Sequence, residues 1–163
     1  MKQEGYKAAR KFFEEHTLFF KIARAVQKGS EILLYLAYPV FIAALFFKND
    51  IFYLKSVAVC GAGFAVVSLF RGLYNAKRPY EIYDIKPLIS KNSAGKSFPS
   101  RHCFSAAVIA MSFMTVNLPL GVAALALAVT MAVLRVAFGV HFIKDVLLGL
   151  FLGIAIGSIQ FFI

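Results

Sequence analysis

About five long apolar runs, separated by short polar breaks, leave this 163-residue chain few folds to choose from. They cover Ile32 to Phe47, Ile51 to Phe70, His102 to Leu118, Val122 to Phe138 and Lys144 to Ile163. At about 1.5 Å rise per residue, the longer runs nearly cross a hydrocarbon core about 30 Å thick as α-helices. Hydrophobic residues make up 60% and charged residues 16%, against roughly 25% charged in soluble domains, and the mean hydropathy is +0.74. A soluble fold of this size cannot cover so much apolar surface. The expected fold class is all-α, a multi-span transmembrane helical bundle.

Ahead of the first run, an apolar stripe at Ala9, Phe12, Phe13, His16, Phe19, Phe20, Ala23 and Val26 follows helical spacing. Lys7, Arg10, Lys11, Glu14, Lys21, Arg24 and Lys28 fall mostly on the other side. The pattern predicts an amphipathic interfacial helix within residues 1–30, its basic face toward anionic headgroups and its phenylalanines in the acyl boundary. Packing of the same stripe against the rest of the protein is the plainer alternative. The segment has neither the apolar core nor the cleavage site of a signal peptide, so it is expected to be retained. Gly29-Ser30-Glu31 reads as the break before a transmembrane domain of residues 31–163. Within it, the polar loop 71–99, with Pro79, Pro87, Gly95 and Pro99, is too long for a simple connection and is a functional candidate. Pro119-Leu120-Gly121 reads as a corner and Gly139 as a break, while Gly149, Gly153 and Gly157, four apart, allow close helix packing. Cys60 and Cys103 lack CxxC or metal-ligand spacing and read as small apolar residues.

Ionisable groups near a bilayer are costly unless they are paired, snorkel or line a polar cavity, so they mark functional candidates. Here they cluster in RGLYNAKRP (Arg71 to Pro79), FPSRH (Phe98 to His102) and RVAFGVHFIKD (Arg135 to Asp145). Counting crossings brings all three clusters to one membrane face. His141 and Asp145, four apart, share a helix face, so Asp145 can accept from one imidazole nitrogen. The other nitrogen is then available as a nucleophile for phosphorus or as a general base. Arg135 reaches the same place across the Gly139 break, where a guanidinium clamps phosphate oxygens. Arg71 and Arg78 add permanent cations, with Lys77 beside them, and Ser100 contributes a hydroxyl at a helix N-terminus suited to an anion. His102 supplies a second imidazole, so one can attack while the other protonates a leaving oxygen. No metal cage is visible, and three arginines can neutralise the charge that develops in phosphoryl transfer.

These residues resemble the type-2 phosphatidic acid phosphatase superfamily of membrane lipid phosphatases, which shares its site with vanadium haloperoxidases. The family signatures K-x6-R-P, P-S-G-H and S-R-x5-H-x3-D read here as Arg71-x6-Arg78-Pro79, Pro99-Ser100-Arg101-His102 and Leu134-Arg135-x5-His141-x3-Asp145. The resemblance covers about residues 51 to 160. It implies that His141 attacks phosphorus to form a phosphohistidine, that Asp145 orients it, and that His102 protonates the departing alkoxide. It further implies phosphate binding by Arg71, Arg78, Ser100 and Arg135, with no metal or cofactor. Arg71 stands in place of lysine, Arg101 in place of glycine and Leu134 in place of serine. Arg101 either narrows the pocket or recognises a second anionic group on the substrate. The family's six spans are reduced to five, with the basic amphipathic segment where the first would be.

The expected activity is therefore hydrolysis of a phosphomonoester or diphosphate on a lipid such as phosphatidic acid, phosphatidylglycerophosphate or a polyprenyl phosphate. The alternatives are a phosphatase for a soluble ester such as a sugar phosphate, or a non-catalytic protein that binds anionic lipid. The net charge of +10 is then directed at lipid and phosphate rather than nucleic acid. Lys86, Lys91 and Lys96 read as solvated loop charges or headgroup contacts. The expected location is a bacterial cell membrane. Seven Lys/Arg before the first span favour a site facing the cytoplasm, although family analogy points to the other face.

Overall fold

The structure is a computed structural model describing residues 2–83, 85–89 and 94–163; Lys91, read above as a loop charge, lies outside the described residues. Helix is the regular secondary structure of the described residues, with no strand among them. The described residues form seven α-helices in order: α1 (Gln3–Glu15), α2 (Thr17–Phe47), α3 (Phe52–Tyr74), α4 (Pro79–Ile82), α5 (Arg101–Val116), α6 (Leu118–Ala137) and α7 (Ile143–Ser158), with a closing 3-10 turn over Ile159–Phe161. By length and apolarity α2, α3, α6 and α7 with its closing turn are able to cross a membrane. α5, also apolar, is shorter at 16 residues. It is buried almost continuously from Cys103 to Phe113, so its neighbours rather than lipid cover it.

Close packing around α5 follows from small residues. A Cβ on Gly149 would stand 2.6 Å from the Ser100 carbonyl oxygen, and one on Gly153 would stand 2.6 Å from that of Phe104. Only hydrogen fits there, which is how α7 lies directly against α5. On the other side Leu34, Ala106, Ile109, Ala110, Phe113, Ala124, Ala128 and Met131 interlock α2, α5 and α6.

The N-terminal region differs from the expectation in two ways. The amphipathic stripe is not one helix: the chain turns at His16, whose φ of −116° and ψ of 69° lie outside helical values. In addition, α2 runs unbroken through Gly29-Ser30-Glu31, because Glu31 finds partners in the bundle and no turn is needed to bring it to solvent. Its 31 residues exceed the roughly 20 that cross a bilayer, so about ten residues around Lys21 and Arg24 project beyond the hydrocarbon. α1 folds back across the end of the bundle, with Phe13 and Phe20 both against Phe138. Phe12, Leu18, Phe19 and Ile22 remain exposed.

Two smaller boundaries also shift. Residues 71–74 belong to α3, and Asn75 ends it in the left-handed region (φ 44°). The corner between α5 and α6 falls at Asn117, whose side chain accepts from the Leu120 N–H. Pro119 then sits in the first turn of α6, where a missing N–H does no harm. Gly139 does break α6 from α7, at a φ of 73° that side-chain-bearing residues rarely adopt.

Candidate active site

The end of α3, the start of α5, the end of α6 and the start of α7 meet at one end of the bundle, as the crossing count requires. Backbone bonds lock them together: the Ser100 N–H donates to the Asp145 carbonyl at 2.8 Å, and the His141 N–H donates to that of Arg135 at 3.3 Å.

Asp145 is fully buried at the third position of α7. Its Oδ2 accepts from the Phe142 N–H (3.0 Å), from the Ser97 hydroxyl (2.5 Å) and from His141 Nδ1 (3.4 Å). Ser97 Oγ also stands 3.3 Å from that Nδ1. Because an ionised carboxylate only accepts, Nδ1 carries the imidazole proton and Nε2 keeps its lone pair. Burial pushes the His141 imidazole down to about 3, reinforced by the Arg78 and Arg135 cations and opposed by its bond to Asp145. At neutral pH the ring is uncharged and nucleophilic. From α1, the Tyr6 hydroxyl donates to the His141 carbonyl at 3.2 Å. Burial, with Asp145 and Tyr83 nearby, raises that phenol above its ordinary range and keeps it a donor.

The arginines come from three elements. Arg71, in the last turn of α3, donates to the carbonyls of Lys96, Ser97 and Pro99 and so fixes the loop that carries Ser97 and Ser100. Arg78 donates from Nε to the Gly95 carbonyl (3.0 Å) and from Nη1 to that of Val140 (3.3 Å). Glu81 steadies this arrangement by accepting from the N–H groups of Arg78 (2.8 Å) and Gly95 (3.0 Å). Arg135 is buried at the end of α6. Its Nη2 meets Glu31 of α2 at 3.0 Å, while its Nε has no hydrogen-bond partner. The buried Ser100 hydroxyl is likewise without one. These two donors at adjacent helix ends, with nearby guanidinium charge, suit the oxygens of a tetrahedral anion; Asp145 Oδ1, an acceptor, is also without a partner.

His102, on the first turn of α5, reaches Glu31 at 3.1 Å through Nε2 and stacks on Tyr35 at 6.5 Å. Arg101 is exposed and lies over the Phe64 ring at 5.7 Å. Both residues line a cavity of about 410 Å³ between α2, α3 and α5, whose other walls include Tyr38, Phe64, Val108 and Ile109. Tyr35 and Phe64, also on this cavity, are exposed on the outer face of the bundle. The structure thus brings together Arg71, Arg78, Ser100, Arg135, His141 and Asp145, with His102 joined to them through Glu31, and leaves Arg101 at the rim. Lys77 is exposed beside Asn75 and Ala76, and Leu134 is half-buried.

Three residues of the site escape sequence reasoning: Ser97, Glu31 and Tyr6. Glu31 alone carried a signal, a carboxylate directly before an apolar run. The described residues contain no group of three or more His, Cys, Asp or Glu side chains able to hold a metal.

A family model, that of the PAP2 superfamily, matches residues 52–161, from the start of α3 to the closing turn. No curated protein matches the chain by sequence. Among solved structures, the chain is similar to the transmembrane PAP2-type phosphatidylglycerolphosphate phosphatase of Bacillus subtilis, with 25% identity and a TM-score of 0.75 over 97% of this chain and 81% of the other. It shares its fold with Aquifex aeolicus LpxE, at 20% identity and a TM-score of 0.71 over 88% of this chain and 94% of the other. The signature residues gathered at one end of the bundle and a family match running from α3 to the C-terminal turn carry the same conclusion: the chain belongs to the PAP2 superfamily.

Proposed function

We propose that this membrane lipid phosphatase removes the terminal phosphate from a lipid phosphomonoester or diphosphate through a phosphohistidine on His141. The observation that carries this reading is the buried pair of unmatched donors, Ser100 Oγ and Arg135 Nε, beside a neutral, Asp145-held imidazole. Nε2 of His141 attacks phosphorus in line, the bond from phosphorus to the lipid oxygen breaks, and His102 gives that oxygen its proton. Arg78, Arg135 and Ser100 hold the equatorial oxygens as charge spreads over them, while Arg71 fixes the 96–99 loop and adds to the positive field. A water deprotonated by His102 then cleaves the phosphohistidine, releasing phosphate and restoring both rings.

A lipid suits the site because the cavity at His102 is mostly apolar and its walls reach the outer face of the bundle at Tyr35 and Phe64. Such a wall admits a tail sideways from the bilayer. Phosphatidic acid, phosphatidylglycerophosphate and polyprenyl diphosphates all fit this chemistry, and Arg101 at the rim would meet a second anionic group on the latter two. The basic α1 and the projecting start of α2 would rest on anionic headgroups, which under the positive-inside rule favours a cytoplasmic site in a bacterial membrane.

The test is phosphate release from a panel of these lipids in detergent with chelator present. Activity is expected on at least one of them, and His141→Ala should abolish release while lipid binding survives. Phosphate release that needs an added divalent metal, or that persists in His141→Ala, would overturn the mechanism. A reporter fused after Ile163 reads the orientation, since an odd number of crossings sets the C-terminus opposite the site.

A further inference from the structure

Glu31 occupies the site in an unexpected manner. Its carboxylate spans the proposed proton donor and one of the proposed phosphate ligands, with Oε1 at 3.1 Å from His102 Nε2 and Oε2 at 3.0 Å from Arg135 Nη2. A phosphate ester would use the same two donors, His102 at its leaving oxygen and Arg135 at an equatorial one. Arg135 is nearly closed off, its side chain 4% exposed, whereas that of Glu31 is 30% exposed. Of the two, the carboxylate is the end that can move.

It also has somewhere to go. A second cavity of about 460 Å³, on the other side of Tyr35, is lined by Glu31 together with Arg24, Gln27 and Lys28 of the same helix. Lys28 precedes Glu31 by three residues and is therefore its neighbour on the helix surface. A rotation of the Glu31 side chain exchanges one set of cations for another without moving α2.

We infer that Glu31 is a specificity-determining residue, a displaceable carboxylate that excludes the singly charged phosphodiester headgroups of the bilayer and yields to a doubly charged phosphomonoester. The inference rests on the phosphatase reading above. A phosphodiester and a carboxylate each carry one negative charge, so exchanging one for the other brings no electrostatic gain, and the carboxylate is tethered at the site. A phosphomonoester carries about −1.5 to −2 at neutral pH and gains from every guanidinium around it. Without such a screen, abundant diester lipids would compete for a cationic site at the membrane surface.

The experiment measures phosphate release from phosphatidic acid in mixed micelles while phosphatidylglycerol, a diester, is titrated in. Glu31→Gln, which keeps the shape and removes the charge, is expected to become about tenfold more sensitive to phosphatidylglycerol and to show a lower KM. The double variant Arg24→Ala, Lys28→Ala removes the second berth and moves KM the other way, upward by several-fold at unchanged kcat. It also decides the matter if Glu31→Gln does not fold. A fall in kcat at constant KM in Glu31→Gln would overturn the inference, because the carboxylate would then serve to orient His102. Unchanged diester sensitivity in Glu31→Gln, or an unchanged KM in the double variant, would overturn it as well. A wild-type protein that releases no phosphate from any phosphomonoester lipid defeats the phosphatase reading itself, and this inference with it.

Discussion

Replacing Gly149 by alanine tests whether the register of α7 against α5 holds the site. A Cβ at this position would lie 2.6 Å from the Ser100 carbonyl oxygen, 0.8 Å inside the 3.4 Å at which ordinary contact begins. That oxygen is backbone and cannot swing aside, so the helices must separate by several tenths of an ångström. The displacement falls on the bond from the Ser100 N–H to the Asp145 carbonyl, one turn earlier on α7, and Asp145 holds His141. A misplacement of about 1 Å at a catalytic group costs on the order of 10²-fold in rate, so Gly149→Ala should lose about 10- to 100-fold in kcat. Its stability should change far less: overpacking costs about 1–3 kcal/mol, offset by about 1 kcal/mol from the better helix propensity of alanine. Gly157→Ala is the control, because its Cβ would meet Met111 Cβ at 2.5 Å, a comparable clash. Gly157 lies about 12 Å further along the helix axis. It should lose similar thermal stability and keep kcat within about threefold of wild type. The assay pairs phosphate release with thermal unfolding in the same detergent. Equal kcat in the two variants at matched loss of Tm would refute the claim that this contact positions the site.

Ser97→Ala deletes the hydroxyl between Asp145 Oδ2 and His141 Nδ1, and its effect should fall on kcat, by about tenfold, with KM nearly unchanged, because no substrate contact is removed. A raised KM at full kcat would move Ser97 into the phosphate-binding set. His141 also predicts a pH dependence of stability. Its pKa in the folded protein, about 3, lies below the ordinary 6.5, so the unfolded chain takes up a proton that the folded one refuses across this window. Stability should therefore fall as pH drops from about 6.5 toward 3. His141→Gln should flatten the plot of Tm against pH over that range, and identical slopes for the two proteins would show that His141 is not buried as a neutral ring.

The parts of the site readable in the sequence are those whose geometry is set within one turn of helix or by the sign of hydropathy. His141 and Asp145 share a face because 3.6 residues make a turn, and the three clusters share a membrane face because each apolar run reverses the direction of the chain. What the sequence hides depends on helices meeting. Ser97 lies 44 residues from the imidazole it touches, and Tyr6 lies 135 residues from the carbonyl it donates to, so no local period connects them. Glu31 shows why even a visible signal can be misread. With glycine and serine before it, a carboxylate at the head of an apolar run is the pattern of a polar turn, and α2 passes straight through it because Arg135, 104 residues away, supplies the charge that water would otherwise supply. Removing Arg135 would take from Glu31 the permanent cation it meets at the site, which makes the continuity of α2 and the chemistry of the site parts of the same electrostatic problem.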